Sequence, residues 1–194
     1  GEINPTTVKL LGNLKSLIKL EIEDCTFLEG SEQGLKELTG LKELTMGGNL
    51  YLSSKDCNDE YLCHLTSLKV LSLYSITEST FKYLYFLRNL ESLELSDLQW
   101  VTNLVSEINF VNLGVFDYLS SLTFSLFEDM NLEGISQFCP NLEYLYFYEE
   151  RDDVYIFQDI KPIVKLSKLK SLTITNISDT RVSKIEDIYR ITSL

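Results

Sequence analysis

Histidine, tryptophan, methionine and proline are scarce in this chain of 194 residues, which contains one His, one Trp, two Met and three Pro. A serine or cysteine nucleophile is commonly activated by a histidine within hydrogen-bond reach. The single His64 lies in the segment YLCHLTSL, beside a predicted turn into a strand, and we interpret it as structural. The sequence therefore argues against histidine-based catalysis, and we predict a chain that is not an enzyme and holds no cofactor.

Cysteine is also infrequent, and its four positions, Cys25, Cys57, Cys63 and Cys139, lack the paired spacings of a disulfide framework or a zinc site. Cys57 and Cys63 with His64 offer at most three soft ligands, one short of a structural zinc site, so no metal is predicted. A disulfide between Cys57 and Cys63 is the alternative. Free thiols in a reducing, intracellular and cytoplasmic setting are the more economical interpretation.

Long apolar runs are missing, and basic residues are in the minority. No apolar run approaches the roughly 18 to 20 residues that cross a bilayer, and no charged and then apolar start resembles a signal peptide. The chain has 17 Lys and Arg against 29 Asp and Glu, a net charge of −12. A negative net charge does not favour binding to a phosphate backbone or to an anionic membrane surface. We therefore expect a protein partner with a basic surface, no nucleic acid and no membrane.

A six-residue motif recurs along the chain: leucine, two residues, leucine, one residue and an apolar residue. The copies are LIKLEI from Leu17, LKELTM from Leu41, LKVLSL from Leu68, LESLEL from Leu90, LSSLTF from Leu119, LEYLYF from Leu142 and LKSLTI from Leu169. Successive copies start 22 to 29 residues apart, and in most of them another apolar residue stands three positions earlier. This spacing predicts one structural unit for each copy.

The motif resembles the repeat of the leucine-rich-repeat family, and the resemblance covers essentially all of residues 1–194. It implies an α/β solenoid with a parallel sheet on the concave face and helices on the convex face. We expect a single domain of about seven repeats that is a fragment of a longer solenoid. The Asn or Cys that follows the strand in this family is present only as Cys25 and Asn49, so the asparagine ladder is largely missing. Apolar residues three or four apart predict helices within 79–90, 101–113 and 178–191.

Alternate residues of a strand point to opposite faces of a sheet, so the residues between the core leucines define an outward surface, called the open face below. From the first repeat to the seventh these residues are Lys19, Glu21, Glu23; Glu43, Thr45, Gly47; Val70, Ser72, Tyr74; Ser92, Glu94, Ser96; Ser121, Thr123, Ser125; Tyr144, Tyr146, Tyr148; Ser171, Thr173 and Thr175. The sixth strand thus carries three tyrosines between two strands that carry only Ser and Thr.

Tyrosine is enriched among the residues that dominate binding energy, so this surface is predicted to bind a partner. The predicted contact residues are Tyr74, Glu94, Tyr144, Tyr146, Tyr148, Glu149, Glu21, Glu23 and Glu43. Two alternatives stay open at this point. The tyrosines can serve only to favour strand conformation, and the carboxylates can form an ordinary solvated surface.

These features predict a non-enzymatic protein-protein recognition module, the target-binding part of a larger protein or complex. The segment CPNLEYL (139–145) and the irregular repeats resemble the cysteine-containing repeats of F-box substrate receptors, which in that family present targets to a ubiquitin-ligase core. The alternative is a pathogen effector, a surface adhesin or an innate-immune repeat protein that contacts a foreign macromolecule.

Overall fold

Short strands alternate with short helices along the chain. The computed structural model describes residues 1–27, 31–47, 59–74, 78–96, 114–125, 132–148 and 161–174. Its strands are β1 (Glu2–Ile3), β2 (Lys19–Glu23), β3 (Thr26–Phe27), β4 (Glu43–Gly47), β5 (Val70–Leu73), β6 (Ser92–Leu95), β7 (Ser121–Ser125), β8 (Tyr144–Tyr148) and β9 (Ser171–Ile174). Its helices are α1 (Pro5–Leu11), α2 (Glu78–Leu84), α3 (Ile135–Phe138) and α4 (Lys161–Val164), with 3₁₀ helices at Glu32–Glu37 and Asp59–His64.

Seven parallel strands form the main sheet of the described residues, in the order β2, β4, β5, β6, β7, β8, β9. This order follows the chain, so each repeat pairs only with the repeat before it and the repeat after it, which is the arrangement of a solenoid. The short strands β1 and β3 pair parallel with each other. The predicted α/β leucine-rich-repeat solenoid is thereby confirmed.

The second leucine and the final apolar residue of each motif copy form two apolar rows across the sheet. Strand pairing aligns the first row as Leu20, Leu44, Leu71, Leu93, Leu122, Leu145 and Leu172. It aligns the second row as Ile22, Met46, Leu73, Leu95, Phe124, Phe147 and Ile174. From Leu44 to Leu145 the first row is at most 1% exposed. A single repeat cannot bury this apolar side alone, so its stability depends on its neighbours.

From β4 onward, the turn that leads into each strand of the main sheet has the same construction. Its leading apolar residue is buried at Leu38, Leu65, Leu87, Phe116, Cys139 and Leu166. The backbone N–H groups of Lys69 and Val70 both donate to the carbonyl oxygen of Lys42, at 2.8 and 3.0 Å, and the same pair of bonds recurs at the following strands. These bonds fix the residue at which each strand begins, and with it the register of the sheet.

The helix predicted within 79–90 is shorter than its apolar spacing suggests, since α2 ends at Leu84. Leu87 donates its backbone N–H to the Leu84 carbonyl oxygen at 2.9 Å in a tight turn. Leu87 and Leu90 are both buried there as parts of the entry into β6. The helices predicted within 101–113 and 178–191 lie outside the described residues.

A buried polar contact joins the helical segments of two adjacent repeats. Thr80 of α2 donates its hydroxyl to the carboxylate of Asp59, at the start of the second 3₁₀ helix. Both side chains are buried, and a buried carboxylate requires such a partner because it has lost its hydration. Neighbouring repeats are therefore joined at their helices as well as at their strands.

Leu122→Ala is expected to lower the free energy of unfolding by about 2 to 5 kcal/mol, because it opens a cavity at a position that is 0% exposed. Thr123→Ala changes the next residue of β7, which points to the open face, and is expected to cost less than about 1 kcal/mol. Urea unfolding followed by circular dichroism measures both costs. Equal costs would mean that the strand is one residue out of register.

Candidate protein-interaction surface

The open face consists of three rows of side chains that cross the sheet, with adjacent members about 4.8 Å apart. The first row is Lys19, Glu43, Val70, Ser92, Ser121, Tyr144 and Ser171. The second row is Glu21, Thr45, Ser72, Glu94, Thr123, Tyr146 and Thr173. The third row is Glu23, Gly47, Tyr74, Ser96, Ser125 and Tyr148. Thr175 lies outside the described residues.

Two tyrosines of β8 expose much of their side chains on the open face. Tyr144 is 49% exposed and Tyr146 is 37% exposed. Tyr146 stacks on Tyr148, with ring centroids 5.6 Å apart and 22° between the ring planes. On either side of β8, Tyr144 has only Ser121 and Ser171 as register partners. The tyrosines therefore stand above smaller neighbours and leave room for a partner beside them.

The third tyrosine of β8, Tyr148, is half-buried and connects three strands. Its register partner is Ser125 on β7, yet its hydroxyl donates a hydrogen bond to Ser96, which follows β6. The Tyr148 side chain therefore passes over Ser125. Ser96 is 0% exposed and Ser125 is 2% exposed, so the prediction that both serines belong to the exposed surface is wrong, because Tyr148 covers them.

Tyr74 covers Gly47 in a similar way. A Cβ atom built on Gly47 would lie 3.0 Å from Tyr74 Cδ2, so a larger residue at this position would displace the ring. Gly47 is buried, which corrects the prediction of an open position there. The Tyr74 hydroxyl donates to Glu94 Oε1 at 3.4 Å, and Ser72 Oγ donates to Glu94 Oε2 at 3.0 Å. Glu94 is thus held by a donor on each carboxylate oxygen.

The N-terminal end of the open face is less acidic than its composition suggests, because Lys19 lies among its carboxylates. Lys19 Nζ is 2.8 Å from a Glu21 oxygen and 3.6 Å from a Glu43 oxygen. The hydrogen bond and charge of Glu21, followed by the smaller effect of Glu43, raise the pKa of Lys19 above its ordinary value. Glu23 is exposed beside this group. A partner cation would compete here with a lysine that is already in place.

The predicted contact residues fall into three groups in the structure. These are the tyrosines Tyr144, Tyr146 and Tyr148 on β8; the hydrogen-bonded pair Tyr74 and Glu94; and the carboxylates Glu21, Glu23 and Glu43 near Lys19. Glu149 lies outside the described residues. Sequence reasoning missed Ser72 and Ser96 as the residues that hold Glu94 and Tyr148. No local pattern indicates the contact at Ser96, because it depends on the direction of the Tyr148 side chain two strands away.

The cysteine thiols and the single histidine of the described ranges are not among the residues of the open face. Cys25, Cys63 and Cys139 are free thiols in the described ranges. Cys139 is buried and its Sγ donates to the Ile135 carbonyl oxygen at 3.2 Å, and burial raises the pKa of its thiol. His64 is exposed at the end of its 3₁₀ helix. Within the described ranges, three or more His, Cys, Asp or Glu residues are nowhere grouped as a metal ion would need.

No helix among the described segments has both the length and the apolar character needed to cross a membrane.

Comparison with known proteins gives structural neighbours. No family model matches the chain, and no curated protein matches it in sequence. Seventeen chains of solved structures match it. One of them is an internalin (inlF) from Listeria monocytogenes, with 17% sequence identity and a TM-score of 0.37, over 88% of this chain and 64% of the internalin chain. The present chain therefore spans less than two thirds of that internalin.

Ser96→Ala and Ser125→Ala are expected to affect stability differently, although both serines are buried beneath the same ring. Ser96→Ala removes the acceptor of the Tyr148 hydroxyl and is expected to cost about 0.5 to 1.5 kcal/mol. Ser125 Oγ has no hydrogen-bond partner among the described residues. Its removal is therefore expected to be neutral or to stabilise by up to about 1 kcal/mol. Urea unfolding compares the two variants. A greater loss for Ser125→Ala would contradict the assigned path of the Tyr148 side chain.

Proposed function

We propose that this chain is a non-enzymatic protein-recognition module that binds a protein partner on the open face, centred on β8. The observation that carries the proposal is the pair of exposed tyrosines, Tyr144 at 49% and Tyr146 at 37% exposure, above serine and threonine neighbours. Grouped exposed aromatic side chains are typical of interaction sites, and tyrosine is among the residues that contribute most to binding.

The packing of these rings supports binding over a role in strand formation alone. Tyr146 stacks on Tyr148, Tyr148 is hydrogen-bonded to Ser96, and β8 is paired on both sides. Immobilising a flexible side chain at an interface costs about 0.5 to 1.5 kcal/mol. A ring that is held before the partner arrives avoids much of this cost, so the arrangement favours contact with another protein.

The charge of the chain indicates the kind of surface that the partner presents. The net charge is −12, and among the described positions of the open face Lys19 is the single cation. Lys19 is already paired with Glu21 and Glu43. Electrostatic complementarity across an interface raises the association rate and excludes wrong partners. We therefore propose a partner with a basic surface.

The finer proposal is that the module supplies target recognition to a larger protein or complex, as in F-box-type substrate receptors. It rests on the resemblance of the segment CPNLEYL (139–145), in which Cys139 and Leu142 are buried as structural positions of such a repeat would be. The full reading frame that encodes these repeats tests this role. An adjoining F-box would support it, whereas a secretion signal would favour an effector, an adhesin or an immune repeat protein.

Tyr146→Ala is expected to weaken partner binding by about 1 to 3 kcal/mol, with little change in stability, because the side chain points away from the core and is 37% exposed. The wild-type and variant chains are immobilised, incubated with an extract of the source cell, and compared by quantitative mass spectrometry of the retained proteins. The affinity of a retained partner is then measured by titration.

Tyr118→Ala is the matched control, because Tyr118 is 64% exposed and lies in the turn before β7, outside the open face. Proteins that are retained by Tyr118→Ala and lost by Tyr146→Ala would support the proposed function. Partners retained equally by the wild-type chain, Tyr144→Ala and Tyr146→Ala would contradict it.

A further inference from the structure

The register of the strands and the sizes of their side chains indicate a recess on the open face between β5 and β8. Its floor is formed by the side chains of β6 and β7: Ser92, Glu94, Ser121 and Thr123. It is flanked by Val70, Ser72 and Tyr74 on the β5 side and by Tyr144 and Tyr146 on the β8 side. Tyr148 closes the edge at the third row, where it reaches Ser96. The backbones of β5 and β8 are three strands apart, about 14 Å, and the space between them is called the Glu94 recess below.

Glu94 is the one charged group among the ten side chains of this recess, all of which are described. It is half-buried, and its oxygens accept hydrogen bonds from the neutral hydroxyls of Ser72 and Tyr74. A carboxylate has about four acceptor sites, so these two donors leave acceptor capacity unused. No ion pair in the described part of the chain involves Glu94.

Lys19, the described cation of the open face, is too far away to neutralise Glu94. It lies on β2, three strands from β6 in the sheet order, which is about 14 Å. Glu21 and Glu43 also hold it at that end of the sheet. Glu94 is therefore a half-buried anion in a recess whose other side chains are neutral, with tyrosines on both flanking strands.

We propose that the Glu94 recess seats a basic side chain of the partner, an arginine or a lysine. The cation lies against the Glu94 carboxylate, and its stem lies over Thr123, between Tyr74 and Tyr146. A cationic donor there adds a Coulombic attraction that the neutral hydroxyls of Ser72 and Tyr74 do not supply, and a tyrosine face attracts a nearby cation. This inference rests on the proposed function, because it names the Glu94 carboxylate as a group of the open face that binds the partner.

Selection of short random peptides displayed on phage, with the wild-type chain as bait, tests this inference and the proposed function separately. Peptides are kept when Tyr146→Ala weakens their binding and Tyr118→Ala does not. We expect the retained peptides to share an arginine or a lysine at one position. That residue is then replaced by glutamine in a synthetic peptide, and both peptides are titrated against the wild-type chain and against Glu94→Gln.

On the wild-type chain, the loss of the basic side chain is expected to weaken binding at least about tenfold. On Glu94→Gln the same change is expected to have less than about a threefold effect, because the anion that it pairs with is gone. Glu91→Gln is the control for net charge, because Glu91 lies in the turn before β6 and pairs with Lys69. On this variant, the loss of the basic side chain should weaken binding as much as on the wild-type chain. Glu94→Ser, which matches Ser92 and Ser96 of the same segment, replaces Glu94→Gln if the carboxamide disturbs β6.

The outcomes distinguish the binding of a basic side chain at Glu94 from the proposed binding of a partner on the open face. Retained peptides without a shared basic residue would contradict the binding of a basic side chain at Glu94 but not the proposed function. An equal effect of the basic residue on the wild-type chain and on the Glu94 variants would do the same. If selection yields no peptide that depends on Tyr146, the proposed function fails, and the inference fails with it.

Discussion

Burial of apolar side chains between successive repeats holds this structure together. The first apolar row runs through Leu71, Leu93 and Leu122 with almost no exposure, and each residue is covered by the strands on either side of it. Because every repeat contributes the same two positions, the strands align without a shift from one repeat to the next. The register of the sheet, and therefore the position of every side chain on the open face, follows from this packing.

Once the apolar rows are fixed, the residues between them are free to differ from repeat to repeat. In the third row, large side chains pack over small ones on neighbouring strands. Tyr148 passes over Ser125 to reach Ser96, and Tyr74 covers Gly47. These large residues fill space that their small neighbours leave, while the first and second rows stay accessible between β5 and β8. The resulting surface has tyrosines of β8 and Tyr74 on either side of the Glu94 carboxylate.

The strands could be predicted from the sequence because the leucine motif recurs and a strand alternates its side chains. The end of α2 could not, because Leu87 and Leu90 fit a helical spacing as well as the turn into β6. The same limit applies to the site. Row membership follows from the period of the strand, but the burial of Ser96 depends on the direction of the Tyr148 side chain two strands away, which no local pattern specifies.

Photo-crosslinking in the source cell determines directly whether the tyrosines of β8 contact the partner. Tyr146 is replaced by a photoreactive benzoyl-phenylalanine, and Tyr118 is replaced in a parallel chain as the control position. If the tyrosines of β8 contact the partner, a discrete crosslinked protein is expected from position 146 and none from position 118. A crosslink from position 118 alone, or from neither position in a correctly folded chain, would contradict it.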